Sequence, residues 1–170
     1  GFSVTSTEAC LELPLLAPVL TQVTVDSTSQ QRGRITVKWT RPLGLQPGDL
    51  GAPYQYRLQR TEGLNGTNFT TVATINTNLQ PTAPDTIYID RGLNTEANPY
   101  RYRLEFYYTA ANGQLTRLDV TEPASSVRLA ATPGQRQVSI SWQAVTPWSN
   151  DNLIHDVYRS RSGPNGPFNK

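Results

Sequence analysis

The chain has 170 residues, 36% of them apolar, and a formal net charge of +2. That balance belongs to a globular protein and excludes both a disordered tail and a nucleic-acid binder working through high charge. Twenty-one threonines and eight tyrosines against two lysines suit pleated, half-buried surfaces better than surface helices, so composition leans all-β.

Residues 1–17 form an N-terminal segment or the end of a preceding domain. They carry Cys10, the only cysteine, which allows neither an internal disulfide nor a thiolate metal cluster. It reads as a small buried hydrophobe or as a partner for a cysteine elsewhere. The run "LPLLAPVL" at 13–20 is broken by two prolines and falls well short of the roughly 20 residues of a spanning helix. The start, "GFSVTSTEAC", has neither an initiating Met nor a charged segment ahead of an apolar one, so it reads as processed or as a piece of a longer protein.

From residue 18 onward, strand-like runs alternate with Gly, Pro and Asn punctuation. "PVLTQVTV" (18–25), "RITVKWT" (34–40), "YQYRLQR" (54–60), "FTTVATI" (69–75), "TIYID" (86–90), "YRYRLEFYY" (100–108) and "LTRLDVT" (115–121) make seven. Turn signals such as "LNGTN" and "ANGQ" separate them. Seven short strands in about 105 residues with no helical period predict a Greek-key β-sandwich. Alternation places Ile35, Val37 and Trp39 on one face, with Tyr54, Tyr56 and Leu58 alternating likewise. In the sixth strand Tyr100, Tyr102, Leu104, Phe106 and Tyr108 oppose Arg101, Arg103, Glu105 and Tyr107. The fifth leaves open whether Ile87 or Tyr88 points inward.

After Pro123 the pattern restarts with "SSVRLAA" (125–131), "QVSISWQ" (137–143) and "LIHDVYRS" (153–160). Trp142 follows Trp39 by 103 positions, close to one sandwich repeat, and both end the second strand of their run. The expected organisation is one complete repeat at 18–123 and the first part of a second at 124–170. Such a part exposes Val138, Ile140 and Trp142 unless further chain or another polypeptide covers them.

Catalytic constellations are hard to write with these residues. The only histidine, His155, has no nucleophile motif beside it, and one His with one Cys offers no zinc set. No Gly-rich phosphate loop leads from a strand into a helix. Neither an enzyme nor a cofactor is therefore expected. The sequons Asn65-Gly66-Thr67 and Asn68-Phe69-Thr70 fit N-glycosylation, while Asn65-Gly66 reads more simply as a tight turn needing positive φ.

"YRYR" interleaves arginine with aromatic rings, a pattern that can serve nucleic acids. Here the two types separate by strand parity, rings inward and arginines outward, so no nucleic-acid partner is expected. If the third and sixth strands are neighbours, Arg57 joins Arg101 and Arg103, with Gln55, Gln59, Glu105 and Tyr107 around them. Arg57, Arg101, Arg103 and Tyr107 are the candidate protein-interaction face. Trp148 in "TPWSN" is the candidate sugar contact.

These residues resemble the fibronectin type III family. The tryptophan of the second strand (Trp39, Trp142), the tyrosine of the third (Tyr56, and more loosely Tyr158) and "GLNTEANPYRYRL" carry the likeness. The resemblance implies that Leu93 plugs the end of the core and that the Tyr100 hydroxyl bonds back to the loop before it. "APVLTQVTVDSTS", "DTIYIDRGLNT" and "TPWSNDN" are further similar to paired repeats of bacterial gliding-motility-associated surface proteins exported by the type IX secretion route. That likeness implies an extracellular or cell-surface location. It implies a non-catalytic spacer or protein-interaction module of a larger protein, linked to gliding motility or adhesion. Its partners would be other domains of the same chain or another surface protein. The alternative is a carbohydrate-binding accessory of a secreted polysaccharide-acting enzyme. Asp26-Ser27-Thr28 and Asp85-Thr86-Ile87 also fit an O-glycosylation pattern of such bacteria, making Ser27 and Thr86 candidate acceptors.

Overall fold

The computed structural model describes residues 17–147, 156–163 and 166–169. In chain order the strands are β1 (Leu20–Ser27), β2 (Gly33–Trp39), β3 (Tyr54–Glu62), β4 (Thr70–Thr77), β5 (Ile87–Leu93), β6 (Tyr100–Thr109) and β7 (Leu115–Val120). They continue with β8 (Ala124–Ser125), β9 (Arg128–Gly134), β10 (Gln137–Gln143), β11 (Arg159–Ser160) and β12 (Phe168–Asn169). No helix occurs among the described residues, so none there is long and apolar enough to cross a membrane.

Two antiparallel sheets, β1-β2-β5 and β4-β3-β6-β7, contribute to one core, the arrangement of a β-sandwich; β8 adds to β6. Parity decides what enters that core, because successive side chains of a strand leave opposite faces. Ile35, Val37 and Trp39 of β2 are buried against Tyr54, Tyr56 and Leu58 of β3 and Tyr100, Tyr102, Leu104 and Phe106 of β6. Trp39 meets Tyr56 edge to face with ring centroids 5.7 Å apart, a geometry that puts the positive edge of one ring on the negative face of the other. In β5 the open choice resolves toward Tyr88, which packs against the core while Ile87 is exposed.

Hydrogen bonds close the end of the sandwich. Leu93 is buried there, and the Tyr100 hydroxyl accepts from the Asn94 N–H at 3.1 Å, back across the β5–β6 loop. Thr95 donates its hydroxyl to the Ser27 carbonyl at 2.9 Å and accepts from the Ser29 N–H at 3.0 Å.

Three expectations are corrected. Gly66 does not take up positive φ. Gly63 does, with φ 85°, and Gly66 is instead pressed against the Glu62 carbonyl and the Thr61 side chain, where a β-carbon would collide. The stretch expected as a strand over 153–160 is extended and paired only at Arg159–Ser160, because Asp156, Val157 and Tyr158 join no ladder; 153–155 lie outside the described residues. Glu105, on the polar parity of β6, is nonetheless buried at 5% exposure.

Beyond β8, β9 and β10 form a two-stranded hairpin in which Leu129 faces Trp142, Ala131 faces Ile140 and Pro133 faces Val138. Period-two alternation therefore collects six apolar residues on one hairpin face. Val138, Ile140 and Trp142 are exposed by 60%, 41% and 43%. Trp142 thus holds the strand position of Trp39 without its burial.

Candidate interaction face

The candidate face lies on the outside of the larger sheet. Because Tyr56, Leu58, Tyr102 and Leu104 go inward, their neighbours Arg57, Gln59, Arg103 and Glu105 must go outward. The β3–β6 register sets Arg57 opposite Glu105, Gln59 opposite Arg103 and Gln55 opposite Tyr107. Across β6–β7, Tyr107 faces Arg117.

Glu105 is the centre of this face. Its Oε2 accepts from Gln59 Nε2 at 3.1 Å and from the Tyr107 hydroxyl at 3.0 Å, and its Oε1 accepts from Arg117 Nη1 at 3.0 Å. A carboxylate under neighbouring side chains is tolerated when it is both paired and hydrogen-bonded, and this one is. Burial pushes the Tyr107 hydroxyl pKa upward, and the hydrogen bond to Glu105 and its charge add to that, against Arg57 and Arg117.

Two arginines flank that carboxylate in matching ways. Arg57 donates Nε–H to Gln55 Oε1 at 2.8 Å, and its guanidinium carbon sits 4.2 Å from the centre of the Tyr107 ring. Arg103 donates Nε–H to Gln59 Oε1 at 2.7 Å, and its guanidinium carbon sits 4.4 Å from the centre of the Phe69 ring. Each side chain is thus held by a glutamine at one edge and a ring beneath. The Nη groups of both make no hydrogen bond or ion pair among the described residues. Tyr107, a member of the candidate interaction face, is half-buried under Arg57.

Arg101 is placed differently. Its Nη1 donates to the Gly66 carbonyl at 3.1 Å and it leans toward Phe69, tying β6 to the β3–β4 loop. Four arginines against one carboxylate leave the face strongly basic, although the chain as a whole is close to neutral.

Sequence reasoning missed two polar clusters inside the fold. Arg60 bonds Asp90 at 2.7 Å, and the Tyr102 hydroxyl donates to the same Asp90 oxygen at 2.9 Å. Arg41 bonds Asp85 at 2.6 Å and the Ala83 carbonyl at 2.6 Å, while the Thr77 hydroxyl donates to Asp85. Burial and then the Asp90 charge push the Tyr102 pKa far up. Burial and then Asp85 do the same for Tyr56, with Arg41 opposing. Burial works against the Arg60 charge, but the Asp90 hydrogen bond and charge outweigh it and raise the Arg60 pKa. Asp90 stands two positions after Tyr88, on the same parity of β5, and that was a usable signal for it. Nothing in the sequence marked Asp85 as the partner of Arg41.

The other candidates divide between placed and unplaced. Ser27 ends β1, half-buried, with its hydroxyl accepting from Arg34 Nε at 3.4 Å. Thr86 is half-buried just ahead of β5, where its carbonyl accepts from the Trp39 N–H at 3.1 Å. The aspartate of its triplet, Asp85, is 6% exposed and committed to Arg41. Trp148, His155 and Cys10 lie outside the described residues. Among the described residues no group of three His, Cys, Asp or Glu side chains is placed to hold a metal ion. The chain matches no family model, and no curated protein matches it significantly in sequence.

Proposed function

We propose that this chain is a non-catalytic module of the fibronectin type III kind. In this reading it holds one repeat at 18–123 and the first part of another at 124–170, within a larger bacterial cell-surface or secreted protein. It spaces and docks neighbouring domains or a second surface protein, in gliding motility or adhesion, with export by the type IX route. The observation that carries the docking role is the basic outer sheet face, where Arg57 and Arg103 are held in place with their Nη groups unspent among the described residues. Half-buried arginines held on the outer face of a sheet have the chemistry of a protein interface.

The competing carbohydrate-binding reading needs flat aromatic rings open to a sugar. On this face the rings of Tyr107 and Phe69 are covered by guanidinium groups, which leaves Trp148 as its one named contact. The discriminating experiment is affinity electrophoresis of the 170-residue chain through gels containing neutral polysaccharides. Migration should be unchanged by every polysaccharide. Retardation that disappears in Trp148→Ala would replace the docking role with carbohydrate binding.

A further inference from the structure

The face around Glu105 has geometry enough to name its occupant. Arg57 and Arg103 are diagonal neighbours across β3 and β6, since Arg57 faces Glu105 and Arg103 faces Gln59 two positions along. Diagonal pairs in an antiparallel sheet lie about 7–8 Å apart where the side chains leave the backbone. Each guanidinium has spent Nε on a glutamine and one face on a ring. What each has left is the paired Nη edge, which matches the two oxygens of a carboxylate. The internal carboxylate between them is already occupied by Gln59, Tyr107 and Arg117, so it does not satisfy these edges.

The two guanidiniums reach different rings, Arg57 over Tyr107 and Arg103 over Phe69, and an extended peptide, whose side chains on one side recur about every 6.6–7 Å, can present acids to both from a single segment. Resting on the docking role proposed above, we infer that this face takes an acidic protein segment in extended form. Asp or Glu side chains on one side of it would pair with Arg57 and Arg103. A uronic-acid polysaccharide offers the same carboxylates but recognition of its rings would want an open aromatic platform. Both rings of this face already lie under guanidiniums. Pre-fixed arginines lose little side-chain freedom on binding, which favours a short segment.

The test is fluorescence anisotropy of a labelled peptide alternating Glu and Ser, titrated with the full chain at low and at physiological salt. A peptide alternating Lys and Ser and a polygalacturonate competitor run beside it. The Glu peptide should bind, the Lys peptide should not, and added salt should weaken the complex. Arg57→Gln with Arg103→Gln should weaken binding at least about 10-fold. Arg57→Lys with Arg103→Lys keeps charge but loses the fork, and should still weaken it several-fold. The Lys pair also guards against misfolding of the Gln pair, and both are checked by melting temperature. Binding that is equal in folded variants, or no binding by the Glu peptide at about millimolar chain in low salt, overturns the inference. So does polygalacturonate binding tighter than the peptide. Failure here with unchanged migration in neutral polysaccharide gels leaves the docking role standing, whereas retardation through Trp148 removes that role and leaves the arginine forks to be judged by the peptide.

Discussion

Trp39→Ala is the sharpest probe of the packing described here. The side chain is 3% exposed and meets Tyr56 edge to face. Burying a tryptophan removes on the order of 200 Å² from water, and at about 25 cal/mol per Å² this corresponds to about 5 kcal/mol. A compact unfolded state reduces that by roughly 10–40%, which leaves about 3–4.5 kcal/mol, inside the range of about 3–5 kcal/mol for emptying such a site. A domain of this size holds about 5–15 kcal/mol in total, so the variant stays folded with much of its reserve gone. Urea denaturation followed by circular dichroism reads the loss. With a slope near 2 kcal/mol/M, the midpoint should fall by about 1.5–2 M at unchanged slope. Trp142→Ala is the matched control: the same residue type in the same strand position, but 43% exposed, so the same area reckoning gives about half the cost, about 2 kcal/mol. A midpoint shift under about 0.5 M for Trp39→Ala, or equal losses at the two tryptophans, would refute the assignment of faces by parity.

Other expectations concern the buried polar groups and one turn. Arg60→Met leaves the Asp90 carboxylate with Tyr102 alone and should cost about 2–3 kcal/mol, below the usual range of about 3–5 kcal/mol because Arg60 is 28% exposed; adding Asp90→Leu should return part of that loss in the same urea assay, and a strictly additive double variant would count against the pair. The Tyr56 and Tyr102 hydroxyls have pKa values raised above the unfolded value of about 10. Their stabilisation is therefore fully present below pH 10 and is lost as pH rises beyond it. Absorbance at 295 nm should show part of the tyrosine titrating only together with unfolding, and full titration in the folded state would contradict their burial. Gly66→Ala places a methyl against the Glu62 carbonyl and Thr61 and should cost about 1–3 kcal/mol, read as a drop in melting temperature; no drop would mean that the β3–β4 loop is looser than described.

The strands were legible because their signal is local. Ile35-x-Val37-x-Trp39 and Tyr100-x-Tyr102-x-Leu104-x-Phe106 state which side is apolar, and the pleat turns that alternation into an inner and an outer face whatever the rest of the chain does. The same parity put Arg57 and Arg103 outside, so the residues of the basic face could be named in advance. Parity has no means of saying how deep an outward residue sits. Glu105 is buried only because β3 brings Gln59 beside it, its own strand brings Tyr107 over it, and β7 brings Arg117. Arg101 shares the parity of Arg103, yet it turns to the β3–β4 loop because the Gly66 carbonyl is there to receive it. Asp90 and Asp85 found Arg60 and Arg41 at 30 and 44 residues' separation, distances over which no local pattern reports. Trp39 and Trp142 end the same sequence pattern, and tertiary structure alone separates them: a second sheet lies over the first, whereas the described hairpin leaves the second 43% exposed. Alternation assigns a side chain to a face of its strand. Whether that face is dry, paired or open depends on which distant strand packs against it.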